Sequence, residues 1–135
     1  MKKILPVILL CLTLALIFTA CAKAPGEKIG VATIAIETPD KTVLAPLKVD
    51  IYAGEKAADV LKRITKDKKI HLDMETGAFV YVKGIDNLYE KDRGPESGWL
   101  YMVNGEMPLV GCDQYEMVDG DMLEFRFVDD WNDVM

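Results

Sequence analysis

Apolar and polar residues alternate in short runs along most of this chain, and one stretch alone carries a helical period. Residues 31–37 put Ile34 and Ile36 on one face of a strand, and Lys48-Val49-Asp50-Ile51-Tyr52 alternates with Val49 and Ile51 inward. Thr38-Pro39-Asp40-Lys41 between them is rich in turn formers, which predicts an opening hairpin. Residues 42–47 are apolar but include Pro46, which cannot donate to a ladder, so an edge or a bulge is expected there. Ala57, Val60, Leu61 and Ile64 then fall at i, i+3, i+4 and i+7, the stripe of a helix that faces a sheet. Gly54 is its expected N-cap, Glu55 suits the positive end of its dipole, and Asp59 and Arg63 have the spacing of an ion pair. Residues 78–83 read as a strand with Phe79 and Tyr81 on one face and Val80 and Val82 on the other, followed by a long loop. Trp99-Leu100-Tyr101-Met102-Val103 runs into Asn104-Gly105, whose tolerance of positive φ marks a hairpin, and Pro108 shortens its return limb. Asp119-Gly120-Asp121 is a turn before a last strand over 122–128, with Leu123, Phe125 and Phe127 inward. The order predicts an α+β fold: a β-grasp-like mixed sheet with one packed helix.

The first 20 residues do not belong to that pattern. They hold fifteen apolar side chains and no acid, with Lys2 and Lys3 at the start. A helix over residues 4–18 reaches about 22 Å, short of a hydrocarbon core of about 30 Å. Residues 1–20 are therefore read as a secretory signal peptide. Phe18-Thr19-Ala20-Cys21 resembles a lipobox, the signal of bacterial lipoproteins. That resemblance implies an acylated Cys21 as mature N-terminus and an extracytoplasmic protein lipid-anchored to the bacterial cell membrane. Residues 21–28, with Pro25 and Gly26, read as the lipidated N-terminus and tether, and residues 29–135 as one domain.

Cysteines and charge narrow the picture further. With Cys11 in the leader and Cys21 lipidated, Cys112 has no internal partner, so it is either a small buried hydrophobe, the preferred reading, or a reactive thiol. The formal net charge of −6 becomes −8 once Lys2 and Lys3 are removed, and residues 86–135 carry thirteen acids against Lys91, Arg93 and Arg126. Such a surface repels phosphate backbones, so no nucleic-acid partner is expected.

Candidate chemistry is sparse. His71, Asp73 and Glu75 alternate, which would project all three to one side of an extended segment as metal ligands or simply as its polar face, the preferred reading. Asp129, Asp130 and Asp133 lack the ordered calcium-loop pattern and read as a solvated acidic tail. With no nucleophile elbow, phosphate loop or dinucleotide fingerprint, no enzyme is expected. Trp99 and Tyr101 share a strand face, with Tyr115 after the hairpin. They are candidates for a ligand platform, or for core packing.

The stretch Ser97-Gly98-Trp99-Leu100-Tyr101-Met102-Val103-Asn104-Gly105-Glu106, with Tyr115, Asp119-Gly120-Asp121 and the closing strand, resembles the transcobalamin-like C-terminal domain of bacterial surface lipoproteins and adhesin-like proteins. Tyr52-Ala53-Gly54 before the helix and Tyr81-Val82-Lys83-Gly84-Ile85 fit the same pattern, and the match spans roughly residues 30–128. This family is related to the β-domain of the vitamin B12 carriers transcobalamin and intrinsic factor, where cobalamin lies between the β-domain and a helical barrel for which the tether here leaves no room. The resemblance implies a binding module with corrinoid (cobalamin-like) ligand as first candidate and Trp99, Tyr101, Asn104 and Tyr115 near its ligand face. The expected function is to present that or another small ligand to a membrane transporter or partner. The alternative is a surface adhesion or protein-interaction module with no small-molecule ligand.

Overall fold

The computed structural model describes residues 26–134. The leader, Cys21 and the first part of the tether lie outside the described residues. Seven strands and one helix follow in the order β1 (Lys28–Thr38), β2 (Lys41–Tyr52), α1 (Ala57–Asp67), β3 (Leu72–Glu75), β4 (Tyr81–Ile85), β5 (Leu88–Tyr89), β6 (Gly98–Val103) and β7 (Met122–Val128). A 3-10 turn at Trp131–Asp133 closes the chain. The α+β class, with one helix among the described residues, is as expected from the pattern. The strands divide between two sheets, one of order β2-β1-β7-β6 and one of order β3-β4-β5.

The opening hairpin forms across Pro39-Asp40, and its pairing reaches back to Lys28, opposite Tyr52. Glu27 accepts a hydrogen bond from the Ala53 N–H at 2.8 Å, so the end of the expected tether is part of the folded domain. Pro46 sits where a proline is tolerated. β2 is an edge strand, and the register slips between the Ile34–Leu47 and Ile36–Leu44 pairs, leaving Ala45 and Pro46 both opposite Ala35. β1 then pairs with β7 in parallel, Ile34 beside Leu123 and Ile36 beside Phe125, and β7 pairs with β6 antiparallel. This aligns the apolar faces of three strands. Ile34, Ile36, Leu123, Phe125 and Phe127 are all buried with Val60, Leu61 and Ile64 of the helix in one cluster.

The helix starts later than its sequence signals. Ala53 and Gly54 form the turn that ends β2, with Gly54 at φ 76° and the Glu55 N–H bonded to the Tyr52 carbonyl, so Lys56 is the N-cap. Asp59 accepts from the Lys56 N–H at 3.0 Å. Being used there, it does not make the expected pair with Arg63. Arg63 instead grips Glu55 through two hydrogen bonds of 2.9 and 3.1 Å, donates to the Asp50 carbonyl at 2.8 Å and lies over the Tyr52 ring. The helix is thereby fastened to the end of β2.

The strand expected over 78–83 forms at Tyr81–Ile85, and Phe79 stands 82% exposed ahead of it. Asp86 and Asn87, both at positive φ, turn the chain into β5, a short strand inside the expected long loop. The Asp-Asn pair is a readable turn signal of the same kind as Asn104-Gly105.

Close approach explains Gly30, where a Cβ would lie 2.5 Å from the Asp119 Cβ. Gly30→Ala is expected to cost about 1–3 kcal/mol by overpacking. Gly77→Ala, with nothing within 4 Å, should be neutral or slightly stabilising. Urea unfolding of the two variants beside the parent chain checks both.

Candidate functional site

The hairpin signal at Asn104-Gly105 builds the site. Asn104 (φ 55°) and Gly105 (φ 83°) reverse the chain, Val103 and Glu106 exchange two backbone hydrogen bonds, and the return limb ends at that one bridge. Pro108 cannot continue the ladder, so residues 107–121 leave the sheet as a long excursion before β7. The excursion is anchored at two places. At the first, the Cys112 and Tyr115 carbonyls accept from the Ala58 and Ala57 N–H groups at 2.8 and 3.0 Å, donors that no residue within the helix can satisfy. The Lys56–Glu116 ion pair and the Met117 N–H bond to the Glu55 carbonyl reinforce this contact.

The second anchor is Asp121, a carboxylate only 3% exposed. One of its oxygens accepts from Asn104 Nδ2 at 2.9 Å. The other accepts from the Val118 N–H at 3.0 Å and the Tyr115 hydroxyl at 3.2 Å. Asn104 Oδ1 accepts in turn from the Met122 N–H at 2.9 Å. A buried carboxylate is tolerated because donors surround it.

Between hairpin and excursion lies a cleft of about 470 Å³, lined by Asn104, Glu106, Met107, Pro108, Leu109, Val110 and Tyr115 with Val103 at its base. The volume is within the range of small-molecule sites. Met107, Leu109 and Val110 are exposed, Leu109 fully so. Nothing in the strand pattern pointed to these three. The available signal was an apolar run, Met107-Pro108-Leu109-Val110, placed where its proline forbids a strand.

Of the residues singled out in the sequence, Asn104 and Tyr115 line this cleft. Tyr101 reaches its edge, donating its hydroxyl to the Val110 carbonyl while its ring stacks on Phe125. Trp99 is elsewhere. It is 7% exposed, packs edge-on against Phe127 at 5.3 Å and donates Nε1–H to the Leu88 carbonyl at 2.8 Å, joining the two sheets. Asp73 and Glu75 alternate along β3 as expected, the extra residue of the β3–β4 irregularity being Lys83 on β4, but Glu75 lies 3.7 Å from Lys83 Nζ and His71 Nε2 lies 3.0 Å from the Tyr89 hydroxyl. Among the described residues no three metal-ligating side chains converge. A second concavity of about 400 Å³ lies between Glu37-Thr38 and the acidic tail with Asp129, Asp130 and Asp133.

Burial dominates the electrostatics around the cleft. It pushes the Tyr101 hydroxyl up to about 12, helped by the neighbouring Cys112 and Asp113. Burial also raises the Tyr115 hydroxyl, with the charge of Asp121 adding to it. The Cys112 thiol is pushed up by burial and by Asp113, so it stays protonated and packs as a small apolar group.

A family model described as "Domain of unknown function (DUF4430)" matches residues 54–129, more than half of the chain. Among solved structures, haptocorrin in complex with Cbi is similar, with a TM-score of 0.61 and 20% identity over 81% of this chain and 28% of that one. This chain thus spans little more than a quarter of haptocorrin. A protein from Ruminococcus gnavus provisionally assigned as metal binding has a TM-score of 0.52 and 18% identity over 73% of this chain and 96% of its own. At these identities the likeness is one of fold. No curated protein matches.

The Tyr101 shift has a direct consequence. A folded-state value of about 12 against 10.0 for the free side chain means that the stability it carries is complete below pH 10 and is lost as pH rises towards 12. Tyr101→Phe is expected to cost about 1 kcal/mol at neutral pH through the lost hydrogen bond. The gap between the two proteins should close over that alkaline window, as read by urea unfolding at a series of pH values.

Proposed function

This chain belongs to the DUF4430 domain family, and on that premise we propose that it is a lipid-anchored extracytoplasmic binding module with a small-ligand site in the cleft beside Asn104 and Tyr115. A corrinoid is the first ligand candidate, and its presentation to a membrane transporter or partner is the task. The observation that carries the reading is the cleft itself: a concavity with exposed Met107, Leu109 and Val110 on one side and an internally braced Asn104–Asp121–Tyr115 wall on the other. Uncovered apolar side chains beside fixed polar ones are the usual make-up of a binding site. The likeness in fold to haptocorrin, crystallised with Cbi, supports the choice of ligand class.

Anchoring is proposed from Cys21 and the apolar leader before it. Among the described residues no helix is long and apolar enough to cross a membrane, so attachment in this reading falls to the acyl chains, each buried methylene contributing about 0.8 kcal/mol. The proposal contains no catalytic step, and the protonated, buried Cys112 suits it.

A surface module that contacts a macromolecular partner is the second reading. Phe79, 82% exposed, and Leu109 favour it, because strongly exposed apolar side chains suit a partner surface better than an enclosed ligand.

Cobalamin titrated into the full-length chain in neutral detergent is expected to show a saturable change in its visible spectrum. Leu109→Asp should weaken the half-saturation at least about tenfold, the scale of a lost apolar contact plus a repelled face. No saturable change at high micromolar cobalamin would sink the corrinoid reading. A single macromolecule captured by the parent chain and lost from Phe79→Ala, with folding intact, would establish the second.

A further inference from the structure

On the reading of the cleft as a ligand site, we infer that it selects by charge. It takes a neutral or cationic apolar ligand that carries hydrogen-bond donors, such as amide N–H groups, and turns away ligands that would place a carboxylate or sulfonate inside it.

The lining carries this. No lysine, arginine or histidine is among the residues that form the cleft. Glu106 stands exposed on its wall and enters none of the ion pairs among the described residues, so its charge is uncompensated at short range. Behind the wall formed by Asn104 and Tyr115 lies a second carboxylate, Asp121, whose partners are all neutral: the Asn104 amide, the Tyr115 hydroxyl and the Val118 N–H. Neutral donors stabilise a carboxylate without cancelling its field, and in the lower dielectric of the wall that field reaches further than it would in water. The raised Tyr115 hydroxyl, shifted partly by Asp121, registers that field at the cleft wall. An anion entering the cleft is repelled by both carboxylates, and no cation of the lining offsets them.

The same hydrogen bonds set the polarity of what is left to offer. The Tyr115 O–H is directed to Asp121, so the capacity remaining on its oxygen is that of an acceptor. The Glu106 carboxylate is an acceptor only. Asn104 has one amide hydrogen on Asp121 and its Oδ1 on Met122, leaving a single side-chain N–H. Side-chain acceptors therefore outnumber donors, and the complementary ligand brings the donors. The apolar side chains Met107, Leu109 and Val110 supply contact area without charge.

The test uses three naphthalene probes of one shape, bearing an ammoniomethyl, a carboxamide or a sulfonate group. The readout is backbone amide shifts of Val110 and Tyr115 in the full-length chain in neutral detergent, at about 0.15 M salt to screen the distant surface charge. The ammonium and carboxamide probes are expected to half-saturate at concentrations at least about tenfold lower than the sulfonate. Glu106→Gln, a conservative change at an exposed position, should reduce the ammonium-to-sulfonate ratio about threefold. Equal or tighter sulfonate binding, or a ratio that Glu106→Gln leaves unmoved, overturns the inference. Saturation by the first two probes with none by cobalamin keeps charge selection and discards the corrinoid. Silence from all three probes discards the cleft as a site, and charge selection with it.

Discussion

The pairing of the first strand with the last is the constraint from which the rest of this domain follows. β1 and β7 run parallel at the centre of the larger sheet, although the helix, the smaller sheet and the long excursion lie between them in the chain. Parallel neighbours cannot be joined by a tight turn, so the intervening chain has to cross over the sheet face, and its apolar side chains fill that face. The pairing is locked at its start by the Asp119-Gly120-Asp121 turn. Asp119 accepts from the Val31 N–H, Gly120 donates to the Val31 carbonyl, and Thr33 donates to the Asp121 carbonyl. Gly30 leaves the room that the Asp119 side chain occupies there.

Once β7 is fixed beside β1, the chain from the end of β6 must return to its start, and the excursion at 107–121 is that return. Its backbone meets the helix N-terminus, where unpaired N–H groups attract its carbonyls, and its end delivers Asp121 beneath Asn104 and Tyr115. The cleft is what remains between a hairpin limb that Pro108 cut short and an excursion held at two points. Its polar wall is rigid because every side chain in it is bonded to another. Its apolar side is uncovered because, among the described residues, no strand or helix lies over Met107, Leu109 and Val110.

Much of the fold was legible. The strand and helix stripes, the Pro39-Asp40 and Asn104-Gly105 turns and the bulge at Pro46 are local, and their physics lies within a few residues. The helix start was misplaced because Gly54 satisfies two demands, a cap and a turn, and the tertiary pairing of β2 through Tyr52 chose the turn. Arg63 took Glu55 in place of Asp59 because Asp59 was already engaged by the Lys56 N–H. The lining of the candidate cleft was legible only in part. Asn104 and Tyr115 stand at the cleft, whereas Trp99 joins the two sheets, and an aromatic strand residue reads identically in either role.

The sequence by itself determined the α+β class, the helix that packs on the sheet, the inward faces of the paired strands and the acidity of the surface, because each follows from periodicity or from a count. Tertiary structure alone decided that the strands split into two sheets, that Asp121 would be buried beneath Asn104 and Tyr115, and that an apolar run after a turn would stay uncovered. These depend on which distant segments meet. Asp121 is one acid among thirteen in the last 50 residues, and only the parallel docking of β7 on β1 gives it three donors and removes it from water.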